Sequence, residues 1–144
     1  MTKSQFLSAL SSIQIGDEVE VAHVMSTQDI ETFAKVTGDY APVHMSDEFV
    51  ATTRYGKRIA HGVLVLGFVS TASTEMAKRV SSSCVSYGYD HVRFTAPVFV
   101  GDEFKVKYTV VAVDMDKGRL TSQVRVIKED GQVCVVAQHM LQCV

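Results

Sequence analysis

Between Val63 and Val80 the chain carries a long run that is apolar from Val63 to Val69 and continues through Ser, Thr and Ala, and the way such a run must be buried limits what the rest can fold into. Its Val-rich start could be a strand. The length, the Ser/Thr/Ala middle and the polar ending from Glu75 to Arg79 suit one long helix, with Lys78 and Arg79 placed for its C-terminal dipole. The apolar part from Val63 to Val69 is too short to span a bilayer. A helix apolar on nearly every side at its start has to be wrapped by other elements.

Those elements are strands. Val85, Tyr87 and Tyr89 alternate with Ser86, Gly88 and Asp90, and Phe104, Val106, Tyr108, Val110 and Ala112 alternate with residues that include Lys105 and Lys107. Leu120, Ser122, Val124 and Val126 continue the period of two, and Asp130-Gly131 is a hairpin signal before Val133, Val135, Ala137, His139 and Leu141. Upstream, Gly16-Asp17 and the alternation of Ile15, Val19 and Val21 predict a first strand. Residues 1–14 are polar and read as a loosely ordered N-terminal arm. No repeat, linker or low-complexity tract divides the chain, so residues 1–144 form a single domain. The economical arrangement is an α+β domain in which a curved antiparallel β-sheet wraps around the long central helix, the hot dog fold.

Lys and Arg number 14 against 16 for Asp and Glu, a formal charge of −2 that gives no global reason for nucleic acid or an anionic membrane as partner. Cys84, Cys134 and Cys143 are an odd count without a CxxC pair and read as small core residues of a reduced protein. Met1 to Leu10 lacks a signal-peptide pattern, and a cytoplasmic protein is expected.

Chemistry concentrates around Gly38-Asp39-Tyr40-Ala41-Pro42-Val43-His44. Ser26-Thr27-Gln28-Asp29 resembles a capping box, and Ile30, Phe33, Ala34 and Thr37 recur at helical spacing, so this stretch hangs from a helix C-terminus. Gly38 permits a sharp reversal and Pro42 stiffens the chain around it, holding a carboxylate and an imidazole a few residues apart. Ser46 can cap a short helix whose first turn carries Asp47 and Glu48. Arg54-Tyr55-Gly56-Lys57-Arg58 is a basic loop ahead of Ile59-Ala60-His61-Gly62, where the long helix begins without a capping side chain from Ala60 or Gly62. Free N–H groups there could stabilise a negative oxygen; alternatively Gly62 lets two backbones approach, or His61 caps the helix. His61 ranks second to His44 as an imidazole catalyst. His23, His91 and His139 lie in alternating strands and read as structural. No two His or Cys residues fall at ligand spacing, so no metal site is expected.

The run F-A-K-V-T-G-D-Y-A-P-V-H from Phe33 to His44 resembles the signature of the MaoC-like hydratases and dehydratases, the (R)-specific enoyl-CoA hydratase group. Phe49-Val50-Ala51, Ile59-Ala60-His61-Gly62 and the stretch Phe94 to Asp102 agree with it, and the likeness extends from about Ile15 to the C-terminus. The resemblance implies a hot dog fold and reversible addition of water to a trans-2-enoyl thioester, giving an (R)-3-hydroxyacyl thioester. It implies Asp39 and His44 as the catalytic pair holding the water, and Gly62 N–H as donor to the thioester oxygen. It also implies a homodimer or higher homo-oligomer, and no cofactor other than the coenzyme A or acyl-carrier phosphopantetheine that the substrate carries. Arg54, Lys57 and Arg58 could pair with the phosphates of that arm, Val63, Leu66 and Phe99 could line an acyl tunnel, and Ser70 could touch substrate. Ala41 stands where the family has Asn, which removes a side-chain amide from the loop and leaves space beside the substrate. The rival readings on the same fold are an acyl-CoA thioesterase and a non-catalytic acyl-thioester binding module.

Overall fold

The computed structural model describes all residues from Met1 to Val144. The element order is α1 (Lys3–Leu10), β1 (Glu18–Val24), α2 (Thr27–Thr37), α3 (Pro42–Met45), α4 (Asp47–Ala51), α5 (Gly62–Ala77), β2 (Cys84–Phe94), β3 (Glu103–Asp114), β4 (Arg119–Lys128) and β5 (Val133–Cys143). The five strands form one antiparallel sheet in the order β1-β3-β4-β5-β2, with α5 packed against its inner face. This is the hot dog fold. Inward residues of the sheet, among them Phe104, Val106, Tyr108, Val124, Val126, Val135 and Ala137, meet Val65, Val69, Ala72 and Met76 of α5 in one core.

α5 is less enclosed than an all-round apolar sequence suggests. It buries the stripe Val65, Val69, Ala72, Ser73 and Met76, whereas Val63 remains 59% exposed. The sheet covers one side of the helix only, and both β1 and β2 are open edges.

The N-terminal residues differ from the expected loose arm. Lys3–Leu10 is a helix with a capping box in which Thr2 Oγ1 accepts from Gln5 N–H and Gln5 Oε1 accepts from Thr2 N–H. The physical reason is a helical spacing hidden among the serines: Phe6, Ala9, Leu10 and Ile13 share one face, and the last three are buried in the core. Ile15 stands exposed ahead of the first strand, which begins at Glu18.

Two β-bulges interrupt β2. The first, between Ser86 and Gly88, divides residues that a plain period of two puts on one face. Val85 and Tyr87 are exposed, Tyr87 beneath the Arg119 guanidinium 3.6 Å from its ring centroid, while Tyr89 packs inward against His139. Cys134 and Cys143 are buried as expected; Cys84 is half-buried, opposite Cys143 across the β2–β5 ladder.

Among the strand histidines, His23 Nε2 bonds Asp29 Oδ2 at 2.7 Å and ties β1 to the capping box of α2. His139 is buried between two hydroxyls, with Nδ1 2.7 Å from Tyr108 Oη and Nε2 2.8 Å from Ser86 Oγ. Burial pushes its pKa down to about 4, and burial pushes the Tyr108 phenol up to about 12. The unfolded chain binds a proton at this imidazole near the ordinary value of ~6.5, so stability must fall as pH drops from there to the folded value. Replacing His139 by Gln removes that pH dependence. Urea titrations at neutral pH and near pH 4 should show wild type losing about 3 kcal/mol more than the variant over the interval. Parallel losses would contradict the neutral, buried His139.

Candidate functional site

The loop from Gly38 to His44 is positioned by α2. Ser26 and Asp29 cap that helix reciprocally, and Gly38 ends it in the left-handed region at φ 79°, its N–H donating to Ala34 O. Asp39 N–H then donates to Thr37 Oγ1 at 3.3 Å, and Asp39 Oδ1 accepts from Ala41 N–H at 3.2 Å. One carboxylate oxygen is thus held by the backbone, and the other, Oδ2, lies 4.0 Å from His61 Nε2. Pro42 opens α3 as its first residue, a position that needs no N–H, and this single turn presents His44. Ala41 is the N-cap of α3 and offers no side-chain bond.

His44 Nδ1 lies 2.7 Å from Ile59 O. A carbonyl only accepts, so Nδ1 carries the proton and Nε2 of the neutral ring is a bare acceptor. His61 answers in the other direction. Its Nε2 donates to Asp39 O at 3.0 Å, its ring stacks on His44 with centroids 3.9 Å apart, and Phe33 packs on its other side at 4.7 Å. His61 is buried and its Nδ1 has no hydrogen-bond partner. Its side chain does not cap α5.

The first turn of α5 therefore has leading N–H groups without intrahelical acceptors, Gly62 foremost. Gly62 has to be glycine for a steric reason: a Cβ built there would sit 2.9 Å from Cγ and Cδ1 of Phe94. His44 and Gly62 both line a cavity of about 260 Å³ whose further walls include Tyr55, Val65, Phe94, Val98 and Val135.

The residues expected to contact substrate are distributed unevenly around this cavity. Arg54 lines it, with Nη2 donating to Tyr55 Oη at 3.0 Å. Ala41, Lys57, Arg58, Val63, Leu66, Ser70 and Phe99 do not. Arg58 is largely buried and paired with Asp47 at 3.0 Å, which leaves it poorly placed to meet a phosphate. Lys57 Nζ lies 5.4 Å from the Phe99 ring centroid, and Phe99 pairs with Ile59 through an isolated β-bridge. Val63 and Ser70 lie on the exposed side of α5.

A sequence model of the MaoC like domain matches residues 11–132. The chain belongs to the MaoC-like domain family. A 3-hydroxybutyryl-CoA dehydratase of Methylorubrum extorquens is 35% identical over 95 residues, 66% of this chain and 59% of that relative. An (R)-specific enoyl-CoA hydratase of Rhodospirillum rubrum is 30% identical over 115 residues, covering 80% of this chain and 78% of the relative. Among solved structures, the (R)-hydratase from A. caviae involved in PHA biosynthesis superposes with a TM-score of 0.85 at 25% identity, covering 92% of this chain and 98% of that one.

In this MaoC-like domain the third member of the cluster is the one that spacing along the chain does not bring forward. Asp39, His44 and His61 have donor atoms within 4.8 Å of one another, which is company a metal ion could also use. The two imidazoles are stacked, with ring planes 29° apart, and one nitrogen of each is already taken by a backbone carbonyl, His44 Nδ1 by Ile59 O and His61 Nε2 by Asp39 O. Phe94 and Tyr55 likewise carry no signal in the sequence as site residues, although Phe94 opens one of the stretches that bear the family likeness.

Proposed function

We propose that this domain is an acyl-thioester hydratase and dehydratase, adding water reversibly to a trans-2-enoyl-CoA or enoyl-carrier-protein thioester to give the (R)-3-hydroxyacyl thioester. The observation that carries the reading is the convergence of Asp39 and His44 beside the uncapped start of α5, with Gly62 in the same cavity as His44.

An enoyl thioester is a weak electrophile, so the reaction needs a proton acceptor for the water and a partner for the charge that gathers on the thioester oxygen. His44 Nε2 and the free oxygen of Asp39 are the acceptors that could share one water. Its hydroxyl adds to the β-carbon while its proton passes to the pair. The electron pair of the double bond shifts toward the thioester, and Gly62 N–H, aided by the positive end of α5, meets the oxygen as it becomes negative. The pair returns a proton to the α-carbon. Dehydration is the same path reversed. The reading needs no cofactor beyond the coenzyme A or phosphopantetheine of the substrate, and Arg54 at the cavity rim is the cation best placed to meet that arm. Three unpaired cysteines fit a reducing cytoplasm as its compartment.

The functional unit is a homodimer in this reading. Support comes from the open β2 edge and from the exposed apolar start of α5, both of which a second copy would cover. Light scattering should give twice the chain mass; a monomer at micromolar concentration would contradict it.

Purified protein should bleach the conjugated absorbance of trans-2-butenoyl-CoA without releasing free thiol, whereas a thioesterase would liberate coenzyme A. Asp39→Asn and His44→Ala should each lower the rate by about 10²–10⁴-fold with an unchanged circular dichroism spectrum. Wild-type rates in both variants would remove the pair from the mechanism.

A further inference from the structure

One wall of the cavity owes its position to a departure from regular strand geometry. β2 and β5 pair Asp90 with Gln138 and Arg93 with Val136, so His91 and Val92 together oppose the single residue Ala137. This is the second bulge of β2. His91 takes φ 54°, the only residue other than glycine with positive φ, a conformation that carries a cost and that histidine tolerates better than most.

The bulge changes the phase of the strand. Tyr89 faces inward opposite His139, and unbroken alternation from there would turn Phe94 outward. With one extra residue in the strand, Phe94 instead opposes Val135, a core residue, and shares its inner face. There its ring lies directly on Gly62, 2.9 Å from where a Cβ would stand. The ring therefore sits against the residue whose N–H the hydratase reading assigns to the thioester oxygen, and lines the same cavity.

We infer that Phe94, turned inward by the bulge at His91, determines acyl size in this site and restricts it to short chains; the inference rests on the hydratase reading above. The cavity of about 260 Å³ lies below the range of ordinary small-molecule pockets, ~300–1,000 Å³. Since an apolar cavity of ~150 Å³ is filled by benzene, the space suits an acyl group of roughly four to six carbons. Val65, Val98 and Val135 are buried in the close-packed core and cannot yield. Phe94 is 52% exposed in the single chain, so its ring is not backed by the core as the three valines are, and shortening it enlarges the cavity on that side.

The test compares kcat/KM for trans-2-butenoyl-CoA and trans-2-octenoyl-CoA. Wild type should favour the shorter substrate, and Phe94→Ala should shift the ratio toward the longer by about tenfold or more, with Phe94→Leu in between. His91→Gly, which keeps the left-handed conformation, should retain the wild-type ratio. The dissociation constants of butanoyl-CoA and octanoyl-CoA, which cannot be hydrated, should shift in the same direction and test the wall independently of turnover. An equal change for both chain lengths in Phe94→Ala would overturn the inference, because the ring would then contact the common coenzyme arm or serve only the fold. Failure of the hydratase reading would show differently, as absence of turnover in wild type with size-selective binding intact.

Discussion

Two imidazole-to-carbonyl hydrogen bonds, running in opposite directions, hold the site together. His44, on the loop that follows α2, donates to Ile59 O in the segment leading into α5; His61, at the start of α5, donates back to Asp39 O on the loop. Each is worth only about 0.5–1.5 kcal/mol net. Their effect on geometry is larger than that, because they join two segments that are otherwise separate in the chain. They also fix both tautomers of the neutral rings, since a carbonyl can only accept, and so leave the lone pair of His44 Nε2 free. With the Ile59 N–H to Val43 O bond at 3.2 Å and the Arg58–Asp47 pair, they keep a carboxylate, an imidazole and a helix start in register, and the proposed proton transfer to a shared water depends on spacing that persists.

The sheet supplies the frame for this clamp. Ile59 bridges to Phe99, and Ala60 N–H donates to Val98 O at 2.8 Å, so the segment before α5 is stitched to the chain that enters β3. α5 is anchored by its buried stripe, and its N-terminus is left without a side-chain cap. An uncapped helix start is ordinarily a small defect; here it is a supply of donors facing a cavity. The same trade recurs at His91, where an unfavourable backbone conformation in an edge strand turns an aromatic ring onto Gly62.

Much of this is legible in the sequence because local rules and tertiary structure agree. Ser26 with Asp29, Gly38 at positive φ and Ser46 capping the next helix are each local chemistry, and each is found as expected. The period of two survives through β4, in β5 from Val135 onward, and in β3 as far as Val110, where a bulge leaves Ala112 exposed and packs Val113 against the core instead. The hidden features depend on register and on contacts distant in sequence. The bulges of β2 separate Tyr87 from Tyr89 and bring Phe94 inward, and nothing in an alternating pattern marks where an extra residue is accommodated. His61 joins Asp39 across 22 positions by a bond to a backbone carbonyl, which leaves no trace in residue type. The helix at Lys3–Leu10 is masked by serines on its exposed face, and Arg58 looks like a free cation because its partner Asp47 lies a whole helix earlier.

The central claim is that Asp39, His44 and Gly62 act on one acyl thioester. A crystal structure of the Asp39→Asn protein with trans-2-butenoyl-CoA tests it most directly. The account predicts the thioester oxygen within hydrogen-bond distance of Gly62 N and the β-carbon next to a water held by His44 Nε2 and residue 39. A thioester bound elsewhere, or one whose β-carbon no such water can reach, would contradict it.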